Sequence, residues 1–352
     1  MALASEWCPP MATPIETIAI IGAGNGGCAT AAQLAQRGFD IRLYGRSRAT
    51  IEPLLAIGRI EYEGELGEGF AKLALVTGDA GTAVAGAHLV LITAPTHAHE
   101  DIARMLAPLL EPGQIVMAAP GHTLLLIPST IRAAGGTLGL YCDSSSLPFI
   151  CRKSAPQRVK ITRAAQILYF AAFPGIAVEA VAERVRHVFP HIAPRPSLLH
   201  TVFPYTNAIH HPPALLLNVG RVESTGGDYC HYYDGITPAV GRLIDALDAE
   251  RIAVAAALGV GCGRAAAAVL LPHGIHQCRR PRLRHGLRRV PQQRAQSADQ
   301  GTDLDRSSFL QRGCALWPCG DRGAWSRGRR PDARRRRGDR HRLDRCGARL
   351  PP

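Results

Sequence analysis

Thr17-Ile18-Ala19-Ile20-Ile21 runs directly into Gly22-Ala23-Gly24-Asn25-Gly26-Gly27, and the reading of this join decides the fold. Five apolar or β-branched residues in succession predict a buried strand of a parallel sheet. Gly22, Gly24 and Gly27 then follow the spacing G-x-G-x-x-G. Cys28 to Arg37 predicts a short alanine-rich helix stopped by Gly38, and Phe39 to Tyr44 a second strand. The three glycines serve, in turn, a tight turn, close approach of backbone to a pyrophosphate, and close helix–strand packing. The helix start offers unpaired N–H groups and a positive dipole end to phosphates. With a strand before it and a helix after it, the motif stands in the context that a dinucleotide site requires. The alternative is a glycine-rich turn without a ligand.

The ribose reader is expected about twenty residues on, at the end of the second strand. There the chain has Tyr44-Gly45-Arg46-Ser47-Arg48, with no acid to accept from a 2′-hydroxyl. An Arg beside a Ser suits a 2′-phosphate, which favours NADP(H), with NAD(H) as the alternative; a solvated loop is the bland reading of Arg46 and Arg48. The expected cofactor-binding residues are Gly22, Gly24, Asn25, Gly26, Gly27, Arg46 and Ser47, joined by Pro95 and Thr96 below.

At 352 residues, 46% hydrophobic and 20% charged, the chain has room for two domains of ordinary soluble composition. No apolar run approaches the ~20 residues that span a bilayer. The first sixteen residues lack a basic stretch followed by an apolar one, and Met11 is a plausible alternative start. Ten cysteines without C-x-x-C pairs indicate neither a zinc cage nor a disulfide framework, so a reduced, cytoplasmic protein is expected. The net charge of +13 is unevenly spread. Residues 263–352 hold 22 Arg and 7 Asp with no Lys or Glu, a net of +15; the preceding 262 residues hold 19 basic and 21 acidic residues.

Strand and helix signals alternate through residues 17–123. Thr50 to Ile57 predicts a short helix, and Glu61, Glu63, Glu65 and Glu68 an exposed, glycine-broken hairpin rather than paired catalytic carboxylates. Leu89-Val90-Leu91-Ile92-Thr93 predicts a strand whose end brings Pro95 and Thr96 to the cofactor crevice. His97 and His99 are read as the solvated start of a helix over His99–Leu110, not as metal ligands. Gln114 to Ala118 predicts a further strand closed by Pro120-Gly121, and Val178, Val181, Val185 and Val188 mark a helix near 177–188. Pro190, Pro194 and Pro196 place the end of a Rossmann-type, doubly wound parallel-sheet domain near residue 190, after a flexible 1–14. A mainly α-helical domain is expected to follow over 191–262. In it, Thr237-Pro238 is a helix start and Val240, Leu243, Ile244 and Leu247 an apolar stripe.

Asn207-Ala208-Ile209-His210-His211-Pro212-Pro213 opens that helical part. Adjacent histidines are expected to point apart, which argues against a shared metal. A His at the mouth of a helix near a nicotinamide is a natural proton donor, because its ordinary pKa lies close to neutral. Capping or packing is the alternative role for His211.

The Gly22–Gly27 loop, Pro120-Gly121, Ser146-Leu147-Pro148-Phe149 with Arg152, Asn207 to Gly220, and Gly235-Ile236-Thr237-Pro238 through Arg251 together resemble the octopine/nopaline (opine) dehydrogenase family, over about residues 15–262. The resemblance implies an NAD(P)H-dependent oxidoreductase that reduces the imine formed from an amino acid and a 2-oxo acid. It also implies a 6-phosphogluconate-dehydrogenase-like helical domain and a homodimer. In the family's N-x-x-x-H-P pattern the histidine is the acid/base, which maps to His211 rather than His210, with Asn207 on the substrate side. The competing enzyme reading is a glycerol-3-phosphate or ketopantoate reductase, families that use a lysine from the helical region. Lys160 is the last lysine in this chain. No membrane partner is expected.

After Leu258-Gly259-Val260 the resemblance stops. The family's Asp partner of the histidine, and its Arg for a substrate carboxylate, have no identifiable counterpart. Two readings of the Arg-rich residues 263–352 compete. One is a nucleic-acid or anionic-surface tail; with it goes a non-catalytic NADPH-binding protein. The other, favoured by the exclusive use of Arg and the abrupt change inside a helical domain, is translation past a frame shift near 260–264, which leaves an anomalous, disordered tail and an impaired enzyme.

Overall fold

The computed structural model describes residues 14–264, which lie within one compact unit. Strands β1 (Thr17–Ile21), β2 (Asp40–Tyr44), β5 (Leu75–Thr77), β6 (Leu89–Ile92), β7 (Ile115–Ala118) and β8 (Leu140–Ser144) form the parallel part of an eight-stranded sheet. The order β12-β11-β8-β7-β6-β1-β2-β5 is completed by β11 (Leu168–Phe173), antiparallel to β8, and β12 (Ile192–Pro194), parallel to β11. Every residue of β6 and β7 is buried, because helices cover both faces. The chain leaves β1 toward β2 and β5 and returns to β6 on the other side of β1. That reversal opens a crevice at the carboxyl ends of β1 and β6, the place where doubly wound sheets bind ligands.

Helix α1 (Asn25–Gln36) follows β1 with eight buried residues, so it is packed almost all round. One side meets the main sheet. The other meets a second, four-stranded sheet, β4-β3-β10-β9, built from β3 (Arg59–Gly64), β4 (Gly69–Lys72), β9 (Phe149–Ala155) and β10 (Arg158–Ala164). The acidic hairpin predicted at Glu61–Glu68 is therefore half of a sheet whose other half lies some ninety residues away. Its carboxylates are cross-strand partners: Glu61 pairs with Arg158, Glu63 lies 3.9 Å from Lys160, and Glu65 accepts from the Ala164 N–H.

Helices α2 (Arg48–Ile57), α3 (Ala80–Val84), α4 (His99–Leu106), α5 (Leu126–Ala133) and α6 (Val178–Arg186) complete the layers around the main sheet. The valine stripe of α6 is buried as predicted, with Val188 beyond its end. Strand β12 lies past the boundary drawn at residue 190 from the prolines. Pro194 is accommodated because it ends an edge strand, where its missing N–H leaves no ladder bond unmade.

The remaining helices are α7 (Leu199–Val202), α8 (Asn207–Leu216), α9 (Val219–Ser224), α10 (His231–Gly235) and α11 (Pro238–Ala257). Thr237 caps α11 by accepting from the Val240 N–H, with Pro238 at the first helical position. Its stripe differs from the expected one. Val240 and Ile244 pack with Ala214 and Ile236, whereas Leu243 is 40% exposed. The buried face continues instead through Asp248, whose carboxylate pairs with Arg251 at 2.7 Å. Arg251 also donates to the Phe203 and Gly263 carbonyls, which fastens α11 to the segment between α7 and α8. Among the described residues no helix is long and apolar enough to cross a membrane. The Arg-rich tail, and with it the frame-shift and nucleic-acid readings, lies almost wholly outside the described residues.

Candidate active site

The glycine loop has the geometry its sequence predicts. Gly22 takes φ +127°, a region that favours glycine, as the chain turns off β1. A Cβ on Gly27 would overlap the Gly22 carbonyl oxygen and lie 2.8 Å from Thr93 Oγ1, so close packing of α1 on this turn depends on a bare Cα. A Cβ on Gly24 would meet nothing within 4 Å, so this side of the loop is open to a ligand. No side chain caps the start of α1, and its first N–H groups are left for an anion. These residues fit a dinucleotide pyrophosphate. Gly45 closes the loop after β2 onto this turn: a Cβ there would come 3.0 Å from that of Ala23. Arg46 and Ser47 are exposed at that end, while Arg48 is engaged by Glu52 at 3.0 Å.

Asn25 does something the sequence did not reveal. Its side-chain oxygen accepts from the Lys153 backbone N–H at 2.9 Å and so ties β9 to the glycine loop, while Lys153 Nζ donates to the Ala23 carbonyl at 3.4 Å. Leu147 packs beside Gly26, where a Cβ would approach it to 2.7 Å. Pro95 and Thr96 lie on the loop after β6, at the crevice. His99 is a correction: it is fully buried, not solvated. Its Nε2 donates to the Ala94 carbonyl at 3.2 Å, and its Nδ1 bonds Thr123 Oγ1 at 3.0 Å, which pins the loops after β6 and β7 together. Burial lowers its pKa to about 4.

From that corner a line of rings leads into the helical part. His122 takes φ 50°, unusual for a residue with a Cβ. Its Nε2 donates to the Ser145 carbonyl at 2.7 Å, and its ring stacks on Tyr205 with centroids 3.5 Å apart. Tyr205 is hydrogen-bonded to the Asn207 side chain at the first turn of α8. One turn on is His211. Its Nδ1 lies 2.8 Å from His231 Nε2, and its Nε2 lies 3.3 Å from the Tyr232 hydroxyl. Burial, then the neighbouring His210 and His231, lowers the His211 pKa to about 3, so the ring is neutral near pH 7. Burial raises that of Tyr232; Tyr205 adds to the shift and the Arg152 cation opposes it. His210 and His211 do not point apart as expected. Their rings sit 4.5 Å from each other because both pack against α10. Among the described residues no group of three His, Cys, Asp or Glu is placed to hold a metal.

Asp143, at the end of β8, is fully buried and its Oδ2 has no hydrogen-bond partner. Thr201 Oγ1 on α7 lies 2.8 Å from Asp143 Oδ1 and 2.7 Å from the Leu198 carbonyl. One hydroxyl proton cannot serve both acceptors. Both contacts are hydrogen bonds only when Asp143 is protonated and donates to Thr201. Burial pushes its pKa up to about 7, in agreement.

Comparison with known proteins uses the same two parts of the chain. Residues 194–280 match the NAD/NADP octopine/nopaline dehydrogenase alpha-helical domain, past the point near 262 where the resemblance was read to end. An opine dehydrogenase of Arthrobacter sp. (strain 1C) is 35% identical over 244 residues, covering 69% of this chain and 68% of its own. The chain belongs to the octopine/nopaline (opine) dehydrogenase family. Protein ocs of Agrobacterium vitis is 26% identical over the same shares of the two chains, 69% and 68%. Octopine dehydrogenase solved with NADH and agmatine superposes with a TM-score of 0.54 at 20% identity, over 69% of this chain and 64% of that one. Yersinopine dehydrogenase gives 0.60 at 19% identity, over 71% and 65%. This chain thus matches slightly less than two thirds of the length of these solved proteins.

Of the reductase alternative, the glycerol-3-phosphate family matches less of the chain in sequence, while a ketopantoate reductase of Ralstonia eutropha JMP134 superposes over 85% of this chain and 92% of its own with a TM-score of 0.55 at 17% identity, which shows a shared fold. Residues 17–121 match the N-terminus of NAD-dependent glycerol-3-phosphate dehydrogenase, and the Moorella thermoacetica enzyme of that name is 37% identical over only 29% of this chain. What is shared there is the dinucleotide part. A nicotinamide dinucleotide is the cofactor class of this opine-family crevice.

Proposed function

We propose that this protein is an NAD(P)H-dependent opine dehydrogenase, reducing the imine formed from an amino acid and a 2-oxo acid to a secondary amine. The observation that carries the reading is His211. It lies one helical turn after Asn207, within a ring network that reaches the loops at the carboxyl ends of β7 and β8. The Gly22–Gly27 loop would hold the pyrophosphate, and Pro95 and Thr96 would border the dinucleotide. The cofactor, when bound, supplies the hydride. His211 holds or releases a proton at Nε2, serving the amine nitrogen and the hydroxyl lost as water in the condensation. Asn207 stands on the substrate side of His211. Arg152, whose charge is felt by Tyr232, offers a cation to substrates that both carry carboxylates. Holding two small reactants together is a large share of the work in such a condensation.

NADP(H) is the favoured cofactor, because Arg46 and Ser47 replace the acid that would read a 2′-hydroxyl. Replacing Arg46 with Ala is expected to weaken NADPH binding severalfold and leave NADH binding unchanged, as read by nucleotide fluorescence titration. No loss for either would assign the residue to the solvated loop. The function itself is tested by NADPH oxidation with pairs of amino and 2-oxo acids, with His211→Asn as control.

A further inference from the structure

Both ring nitrogens of His211 are engaged, and the two contacts are not equivalent. Nδ1 and His231 Nε2 are 2.8 Å apart, a distance at which one proton must lie between them: two lone pairs would repel, as would two N–H groups. The contact of Nε2 with the Tyr232 hydroxyl is longer, at 3.3 Å. The Tyr232 hydroxyl can donate to Nε2 or accept from it, so the ring proton of His211 sits at Nδ1 with Tyr232 donating, or at Nε2 with His231 donating to Nδ1. In both arrangements the 2.8 Å bond to His231 settles which nitrogen of His211 carries the proton.

We propose that His231 is the positioning residue of this site: its hydrogen bond to His211 Nδ1 fixes one tautomer and one ring plane of His211 and so sets the protonation of Nε2, which Tyr232 holds until substrate takes its place. A neutral imidazole in this place orients its neighbour as a carboxylate would, without the negative charge that stabilises an imidazolium. Among the described residues, titratable or charged groups facing this pair include His210 on α8, Tyr232 on α10, Tyr205 before α8 and Arg152 on β9. The opine reading enters only through the identity of the substrate.

The test uses the full chain labelled with nitrogen-15 histidine. The His211 resonances, assigned by loss in His211→Asn, should show a single tautomer across about pH 5–8. In His231→Phe this tautomer should give way to a mixture, and kcat in the NADPH-linked assay should fall about tenfold or more with NADPH affinity unchanged. His231→Gln, whose side-chain oxygen can reach the place of Nε2, should restore both the tautomer and most of kcat. A His211 tautomer unaffected in His231→Phe, or a Gln variant no better than Phe, overturns the proposal. If the tautomer behaves as described but no substrate pair is turned over, the positioning role stands and the opine reading fails. Normal turnover with a mixed tautomer in the native protein gives the converse.

Discussion

Two side chains decide most at the residue scale. His211→Asn is expected to lower kcat by at least about a hundredfold, with NADPH binding intact, because the group lost moves a proton and does not hold the dinucleotide. Stopped-flow turnover beside a fluorescence titration measures both. Asp143 gives a stability prediction. Its carboxyl titrates near 7 in the folded chain against 3.8 as an ordinary group. Between those values the native state keeps a proton that the unfolded chain has lost, so stability falls as pH rises through this window. Asp143→Asn keeps a neutral donor for Thr201 and removes the slope. It should exceed the native protein at pH ~8 by on the order of 4 kcal/mol and match it near pH ~4 in urea titrations. Parallel pH curves would contradict the buried-acid account. His211 was legible because its motif is local. His122, His231 and Tyr232 were not, since tertiary packing of loops and short helices brings them together and no spacing along the chain announces it.

At the scale of elements, the glycine loop makes a paired prediction. Gly27→Ala should destabilise the fold by on the order of 3 kcal/mol, because its Cβ would overlap the Gly22 carbonyl. Gly24→Ala, where a Cβ meets no protein atom within 4 Å, should change stability by less than about 1 kcal/mol yet weaken NADPH binding. Denaturation midpoints and nucleotide titrations on both variants check the pair; a destabilised Gly24→Ala would mean that the open face is not open. The strand–loop–helix unit was readable because strand hydrophobicity, glycine spacing and helix start agree within thirty residues. The second sheet was not. Its β3–β4 and β9–β10 hairpins are far apart in the chain, and the first reads as an exposed hairpin until α1 is found beneath it. The stripe on α11 was half readable, because Asp248 and Arg251 satisfy each other and can therefore occupy the buried face in place of leucine.

For the whole molecule, the sheet sets where the chain can be divided. A fragment of residues 14–197 retains β12 on the edge of β11, whereas one ending at 190 leaves that edge unpaired. The longer fragment should be soluble and bind NADPH, and the shorter one should aggregate or lose cooperativity on melting. Equal behaviour would show that β12 is dispensable. The direct test of the central claim is NADPH oxidation by the purified full-length protein, supplied with a panel of amino acids and 2-oxo acids together and with each class alone. The account predicts oxidation only when both classes are present, with mass spectrometry detecting a secondary-amine product of their summed mass less one oxygen atom, and its loss in His211→Asn. Oxidation driven by a single oxo acid, with a hydroxy acid as product, would contradict it and return the chain to the reductases that share its dinucleotide part.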